Sequence, residues 1–290
     1  MSNAPVQRLR YSTWMSDWTL NIRGLKLNVR ELSDAPDGRP IVCLHGWLDH
    51  GAAFAEIAKN QPGRWVSLDQ RGFGQSDHVG PGGYYHFADL IPDVDALVRE
   101  LGQPVNLIGH SMGGTVASIF AAVRPESVHR LVVAEGLGAI EWGEPDMVHR
   151  IRDHLDQIRS PPGPIRVDTI EDASKRLRKR HPSLTDAFAR KLAEHGTTED
   201  ERGLRWSFDP LHMVRGPYPF RESSYLKVLE SIECPTLVVW GTNSWYPDEI
   251  RTLRAMTIRN VQVATLKGGH MLPYDAPEAL GRLATEHFQS

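Results

Sequence analysis

The chain has 290 residues, 40% of them hydrophobic and 24% charged, a balance that excludes wholesale disorder and allows one large domain or a core with an insertion. A formal net charge of −3 gives neither nucleic acid nor an anionic membrane an electrostatic reason to bind. No run approaches the roughly 18 to 20 apolar residues that span a bilayer, and the N-terminus lacks an apolar signal core. The expectation is a cytoplasmic protein without membrane insertion, its two cysteines, Cys43 and Cys234, being buried free thiols rather than a disulfide or metal pair.

In chain order, residues 18–22 and 25–32 alternate apolar and polar side chains around Arg23-Gly24, the pattern of an antiparallel hairpin with one wet face. Residues 40–44 are instead continuously apolar, as a parallel strand buried on both faces should be. Further short apolar runs lie at 65–68, 105–108, 131–134, 235–240 and 261–266. Between them, residues 54–60, 87–101 and 112–124 carry apolar side chains at i, i+3, i+4 spacing, and 277–288 opens with Pro277, a residue suited to a helix start. Strands alternating with helices imply a parallel sheet covered on both faces.

The alternation lapses over residues 138–224. Helical patterns at 145–159, 170–180 and 185–195 are separated by Ser160-Pro161-Pro162-Gly163-Pro164, Gly196-Thr197-Thr198 and Gly216-Pro217-Tyr218-Pro219, and no buried strand stands out. The expected organisation is a core of residues 1–137 and 225–290, with residues 138–224 a helical insertion between two strands of one sheet. The basic run from Lys175 to His181 reads as a solvated helix face that at most meets an anionic substrate.

Gly109-His110-Ser111-Met112-Gly113 joins the strand at 105–108 to the helix at 112–124. This G-x-S-x-G spacing is that of a nucleophile elbow, a strand-to-helix turn that lifts one serine hydroxyl above the sheet edge, with glycines where a Cβ would clash. A serine nucleophile needs a base, an orienting acid and a hole for the oxyanion. Of 13 histidines, His270 alone combines the end of the last strand, the flexible pair Gly268-Gly269 and a following helix. His110 is adjacent to Ser111 in the tight turn, where neighbouring side chains diverge, so it reads as a packing or hydrogen-bonding neighbour. The turn Leu44-His45-Gly46-Trp47 presents the N–H of Trp47, which pairs with that of Met112 as a candidate oxyanion hole.

His45-Gly46, Asp69-Gln70-Arg71-Gly72-Phe73-Gly74-Gln75-Ser76, Gly109 to Gly114 and Gly268-Gly269-His270 together resemble, in order and spacing, the signature set of the α/β-hydrolase superfamily. The resemblance covers nearly the whole chain apart from the insertion, which sits where that family places its cap. It implies the α/β-hydrolase fold, a mostly parallel eight-stranded sheet flanked by helices with a helical cap insertion. His45-Gly46-Trp47-Leu48-Asp49, Tyr84-Tyr85-His86-Phe87 and Glu135-Gly136-Leu137-Gly138 look most like the serine hydrolase-like proteins and their bacterial relatives.

The acid departs from the family's common pattern, which has Asp three residues after the glycine ending the next-to-last strand. Here Trp240-Gly241-Thr242-Asn243-Ser244 puts a serine there, and a serine cannot supply negative charge to an imidazolium. Three carboxylates remain open. Asp248 follows Pro247 and looks like a first-turn helix residue, and Asp275 lies five residues past His270. Glu135 directly follows the strand at 131–134, a position from which haloalkane dehalogenases of this superfamily can take their acid. Glu135 is favoured, and the order Ser111, Glu135, His270 keeps the family's chain order. The likeness to dehalogenases stops there, because those enzymes need a carboxylate nucleophile.

Asp69 and Arg71 read as structural. Trp142, Trp206, Phe208, Tyr218 and Phe220, with Trp47 and Met112, either line an apolar pocket or glue the insertion to the core. The resemblance implies a metal-independent serine hydrolase, carboxylesterase-like and without cofactors, that cleaves an ester-like bond of a small, fairly apolar substrate through an acyl-enzyme. The expected partner is that small molecule, and no pattern sets an oligomeric state. Two alternatives stand beside it: a carbon–carbon bond hydrolase of a dioxo acid, with Arg178 or Arg215 holding the carboxylate, and a catalytically degenerate binding protein.

Overall fold

The structure, a computed structural model, describes residues 16–33, 35, 38–141 and 147–290. Strands β1 (Ser16–Ile22) and β2 (Leu25–Glu31) form the expected hairpin. Arg23 and Gly24 both take positive φ, 50° and 88°, the geometry that lets a two-residue turn follow the right-handed twist of its strands. The parallel strands follow as β3 (Ile41–Leu44), β4 (Trp65–Leu68), β5 (Val105–His110) and β6 (Val128–Ala134). A small ribbon, β7 (Thr197–Asp200) with β8 (Gly203–Trp206), precedes β9 (Thr236–Gly241) and β10 (Val261–Leu266).

The main sheet has eight strands in the order β1-β2-β4-β3-β5-β6-β9-β10, parallel from β4 onward and antiparallel at the hairpin edge. The continuous apolar runs become strands buried on both faces, because successive side chains alternate across the sheet. In β3, Val42 and Leu44 join one core cluster while Ile41 and Cys43 join the other.

The helices are α1 (Ala55–Ala58), α2 (Leu90–Leu101), α3 (Met112–Val123), α4 (Met147–Arg159), α5 (Ile170–Arg180), α6 (Asp186–Gly196), α7 (Glu222–Glu230), α8 (Asp248–Thr257), α9 (Leu272–Asp275) and α10 (Pro277–Gln289). One core cluster joins the sheet to α2, α3 and α7 through residues such as Leu97, Phe120 and Leu229. The other joins it to α1 and α10 through Ile57, Leu280 and Phe288. The helix expected over 54–60 shrinks to a 3-10 turn, Gly51–Phe54, followed by α1, and the chain then leaves at Asn60 with φ of 60°. Cys43 and Cys234 are both buried free thiols, and among the described residues no helix is long and apolar enough to cross a membrane.

Between β6 and β9 the chain forms α4, α5, α6, the β7–β8 ribbon and α7. Thr169 and Thr185 accept hydrogen bonds from the N–H groups of Asp172 and Phe188, capping α5 and α6 where the sequence patterns begin. The ribbon departs from the all-helical reading of this segment. Its residues, Thr197-Thr198-Glu199-Asp200 and Gly203-Leu204-Arg205-Trp206, are mostly polar and half-buried, so they carry neither an apolar run nor a clean alternation. Helix α7 straddles the boundary expected at 224, and its Tyr225 and Leu229 pack into the core of the main sheet.

The strand order places the site. β3 has β4 on one side and β5 on the other, so the loops leaving β3 and β5 diverge from neighbouring strands. In open α/β sheets ligands bind in the crevice at such a reversal, outside the carboxyl ends of the strands.

Candidate active site

Ser111 follows β5 with φ of 52° and ψ of −119°, a region that a side chain occupies only when its surroundings enforce it. Two close approaches enforce it here. A Cβ on Gly109 would lie 2.3 Å from the carbonyl oxygen of Gly113, and one on Gly113 would lie 2.1 Å from that of Leu44. Backbone atoms cannot step aside as a flexible side chain can. Gly113→Ala is therefore expected to cost about 3 kcal/mol of stability or more, as overpacking against rigid neighbours does. A urea midpoint equal to that of the wild type would contradict this reading.

The elbow brings Ser111 Oγ to 2.9 Å from His270 Nε2. On the other side of the ring, Nδ1 lies 3.2 Å from Glu135 Oε2. A neutral imidazole carrying its proton on Nδ1 satisfies both contacts, donating to the carboxylate and accepting from the serine hydroxyl. Glu135 is fully buried directly after β6 and takes φ of 51°. Its carboxylate accepts two further hydrogen bonds, from Gly241 N–H at 2.7 Å and from Ser244 Oγ at 2.9 Å. Ser244 Oγ accepts the Tyr246 N–H at 3.2 Å, which directs its own proton toward Glu135. The serine that stands where the common pattern has an acid therefore donates to the carboxylate of Glu135.

The other two carboxylates are otherwise engaged. Asp248 is 82% exposed in its side chain and pairs with Arg251. Asp275 accepts from Gly269 N–H at 2.8 Å and from Ser183 Oγ at 2.5 Å, tying the loop before His270 to the segment between α5 and α6.

The turn after β3 closes over the elbow. A Cβ on Gly46 would sit 3.3 Å from Ser111 Cβ, so the backbone leading to Trp47 passes directly against Ser111. His45, fully buried, accepts the Gln70 N–H on Nε2 at 3.0 Å, which fixes its proton on Nδ1, where it donates to Gly46 O at 2.8 Å. Burial lowers its pKa and keeps the ring neutral, as that pair of bonds requires. Among the described residues the N–H groups of Trp47 and Met112 have no acceptor outside a helix, leaving both available to an oxyanion. His110 makes no hydrogen bond to Ser111 among those the described residues form and donates through Nε2 to the carbonyl of His270 at 2.8 Å. Burial, with His270 beside it, pushes its pKa down to about 3, so it braces the backbone of His270 as a neutral ring.

One further support was not legible from motifs. The guanidinium of Arg254, fully buried on α8, donates to the carbonyls of Leu137, Gly138 and Ala139 and pairs with Glu222. It thereby pins the loop that leaves Glu135. Asp69 and Arg71 are structural contacts: Arg71 forms a two-pronged pair with Asp93 at 2.7 and 2.6 Å, and Asp69 accepts the Gly51 N–H at 2.6 Å. Burial alone would raise the Asp69 carboxyl, but Arg30 at 3.9 Å and neighbouring histidines hold it down to about 2.

A cleft of about 300 Å³ runs from this turn under the segment between β6 and β9. Trp47, Trp206 and Phe208 line it, together with Met271, the residue after His270. Trp142 lies outside the described residues. Asp49, also on the cleft, accepts from Tyr274 O–H at 2.8 Å and from His50 N–H at 2.9 Å, and burial raises its carboxyl to about 6. Arg178 and Arg215 pair with Asp186 and Asp153 and do not line the cleft.

A serine hydroxyl on a strand-to-helix elbow, hydrogen-bonded to an imidazole that in turn meets a buried carboxylate, is the arrangement of a class of hydrolytic site. The family model of the α/β hydrolase fold matches residues 39–277, and the chain belongs to that family as a hydrolase. A serine hydrolase-like protein of Danio rerio is 29% identical over 267 residues, covering 87% of this chain and 82% of the relative. A thioesterase domain from the curacin biosynthetic pathway matches with a TM-score of 0.85 at 30% identity, covering 97% of this chain and 99% of its own. A hypothetical protein from Pseudomonas aeruginosa PAO1 matches with a TM-score of 0.82 at 26% identity, covering 94% of this chain and 97% of its own.

Proposed function

We propose that the chain is a serine hydrolase, cleaving an ester-like bond of a small, fairly apolar substrate through an acyl-enzyme on Ser111. The observation that carries the proposal is His270, hydrogen-bonded on one side to Ser111 and on the other to Glu135. As Ser111 Oγ attacks the carbonyl carbon, His270 Nε2 takes its proton and Glu135 stabilises the imidazolium. The N–H groups of Trp47 and Met112 meet the charge that develops on the carbonyl oxygen. His270 then gives its proton to the leaving group, and afterwards activates the water that releases the acid. Thioesters belong to the same class of bond, and the curacin-pathway neighbour is named a thioesterase domain.

The alternatives have less support. The basic residues suggested for a carbon–carbon hydrolase, Arg178 and Arg215, face other partners than the cleft. The degenerate reading rested on the absent acid at Ser244, and Glu135 occupies the place beside His270.

A panel of aryl esters of graded acyl length tests the proposal. Turnover of the short and medium esters, inactivated one-for-one by a fluorophosphonate, is the expected result. A protein that hydrolyses none of them and takes up no fluorophosphonate contradicts it. Within this reading Ser244 is a positioning residue, because its hydroxyl bonds Glu135 and the Tyr246 N–H and neither Ser111 nor His270. Ser244→Ala is expected to lower kcat about tenfold, the effect of one hydrogen bond to a charged group. A loss as large as that of removing Glu135 would contradict a positioning role.

A further inference from the structure

The basic run on α5 is a sequence feature that this mechanism leaves unused. Helical spacing sorts it. Arg176 and Leu177, with Arg180 and His181 one turn later, line the cleft, whereas Lys175 pairs with Glu171 at 3.5 Å and Arg178 pairs with Asp186. Arg176 is held by Asp172 at 2.9 Å and by the carbonyl of Arg166 at 3.1 Å. Among the described residues Arg180 has no carboxylate at ion-pair distance. One carboxylate lines the cleft, Asp49, and both its oxygens already accept hydrogen bonds, from His50 N–H and Tyr274 O–H. The remaining wall is largely apolar, with Leu177, Trp206, Phe208 and Met271. Trp47 and Met271, the residue following His270, line the same cleft.

A largely apolar cleft lined by Trp47 and Met271, the chain neighbours of the Gly46 turn against Ser111 and of His270, and also by a guanidinium with no carboxylate partner among the described residues, suits a substrate with a hydrocarbon body and one anionic group. We propose that Arg180, with Arg176 beside it, binds a carboxylate or phosphate carried by the ester-like substrate, so that the preferred substrates are anionic esters. This rests on the serine hydrolase reading. Both arginines are exposed, and the guanidinium fork matches either anion through paired N–H donors.

The test is a ratio of kcat/KM values within Ser111-dependent turnover. Aryl half-esters of straight-chain dicarboxylic acids, and aryl esters with the carboxylate on the leaving group, are each compared with their methyl-capped neutral counterparts. Phosphate-bearing esters of matched length form a parallel arm that tells a carboxylate site from a phosphate site. At least one anionic series should exceed its neutral counterpart about tenfold, the effect of one charge-assisted contact. Arg180→Gln should bring that ratio to about one and Arg180→Glu should invert it, whereas Lys179→Gln, next to it but off the cleft, should preserve it. Added salt should shrink the ratio. Neutral esters that match or exceed the anionic ones in every arm, or a ratio indifferent to Arg180→Glu, overturn the proposal. Absence of all Ser111-dependent turnover counts against the hydrolase reading, whereas a flat ratio with turnover intact counts against the anion subsite alone.

Discussion

Ser111→Ala is expected to lower kcat for any ester the protein turns over by about 10⁴- to 10⁶-fold, because the three members of such a site act as a unit. The elbow makes this a clean experiment. The strained φ of 52° belongs to the backbone, which the close approaches at Gly109 and Gly113 hold, and alanine keeps the Cβ that the turn already accommodates. The variant should therefore fold with a thermal midpoint near that of the wild type, and it should bind substrate while failing to turn it over. A Ser111→Ala protein with more than about one hundredth of wild-type kcat would mean that another nucleophile, or water acting directly, does the chemistry.

Glu135→Gln is the second large effect, about 10⁴-fold in kcat, and it separates charge from shape. Glutamine fills the same volume and can still accept from Gly241 N–H, so the loop beyond β6 keeps its course. Its amide cannot stabilise the imidazolium, and an NH₂ group facing His270 Nδ1 favours the tautomer that puts the ring proton toward Ser111. The corresponding changes at Asp248 and Asp275 should leave kcat within a few-fold, since one is exposed beside Arg251 and the other is tied to Gly269 and Ser183. A fall at Asp275→Asn that rivals Glu135→Gln would contradict this assignment. So would a Glu135→Gln variant that keeps a tenth of its activity.

Most of the fold could be read from sequence because its strands announce themselves. Residues such as Val42-Cys43-Leu44 and Val238-Val239-Trp240 have no polar face, which leaves a buried parallel strand as their natural place. The β7–β8 ribbon was hidden for the opposite reason: it is short, polar and half-buried, and its pairing depends on contacts such as that between Arg166 and Arg205. The site divides the same way. Ser111 and His270 stand in glycine-rich turns whose chemistry is local, so their positions follow from a few adjacent residues. Glu135 needed knowledge of which strand edges adjoin, and the sequence left Asp248 and Asp275 open beside it.

The roles of Ser244 and Arg254 were not legible at all, and His110 was legible as a packing or hydrogen-bonding neighbour but not by its partner. Each depends on where a side chain points after the sheet has formed: Ser244 toward Glu135, His110 toward the carbonyl of His270, and Arg254 toward the loop after Glu135. The signal available for Ser244 was negative, a serine where the family's common pattern has an acid. Its meaning emerges only with the carboxylate 2.9 Å away. The basic run on α5 was legible as charge but not as a site, because a helix face becomes a cleft wall only when the segment between β6 and β9 is set over the sheet.

The central claim is that Ser111 is a nucleophile activated by His270 and Glu135. The most direct measurement is the site and rate of covalent labelling by a fluorophosphonate, with the adduct mapped by peptide mass spectrometry. The expected result is a single adduct on Ser111, formed rapidly in the wild type and slower by orders of magnitude in Glu135→Gln and His270→Ala. An adduct on another residue, or labelling of Ser111 at an undiminished rate without Glu135, would contradict it.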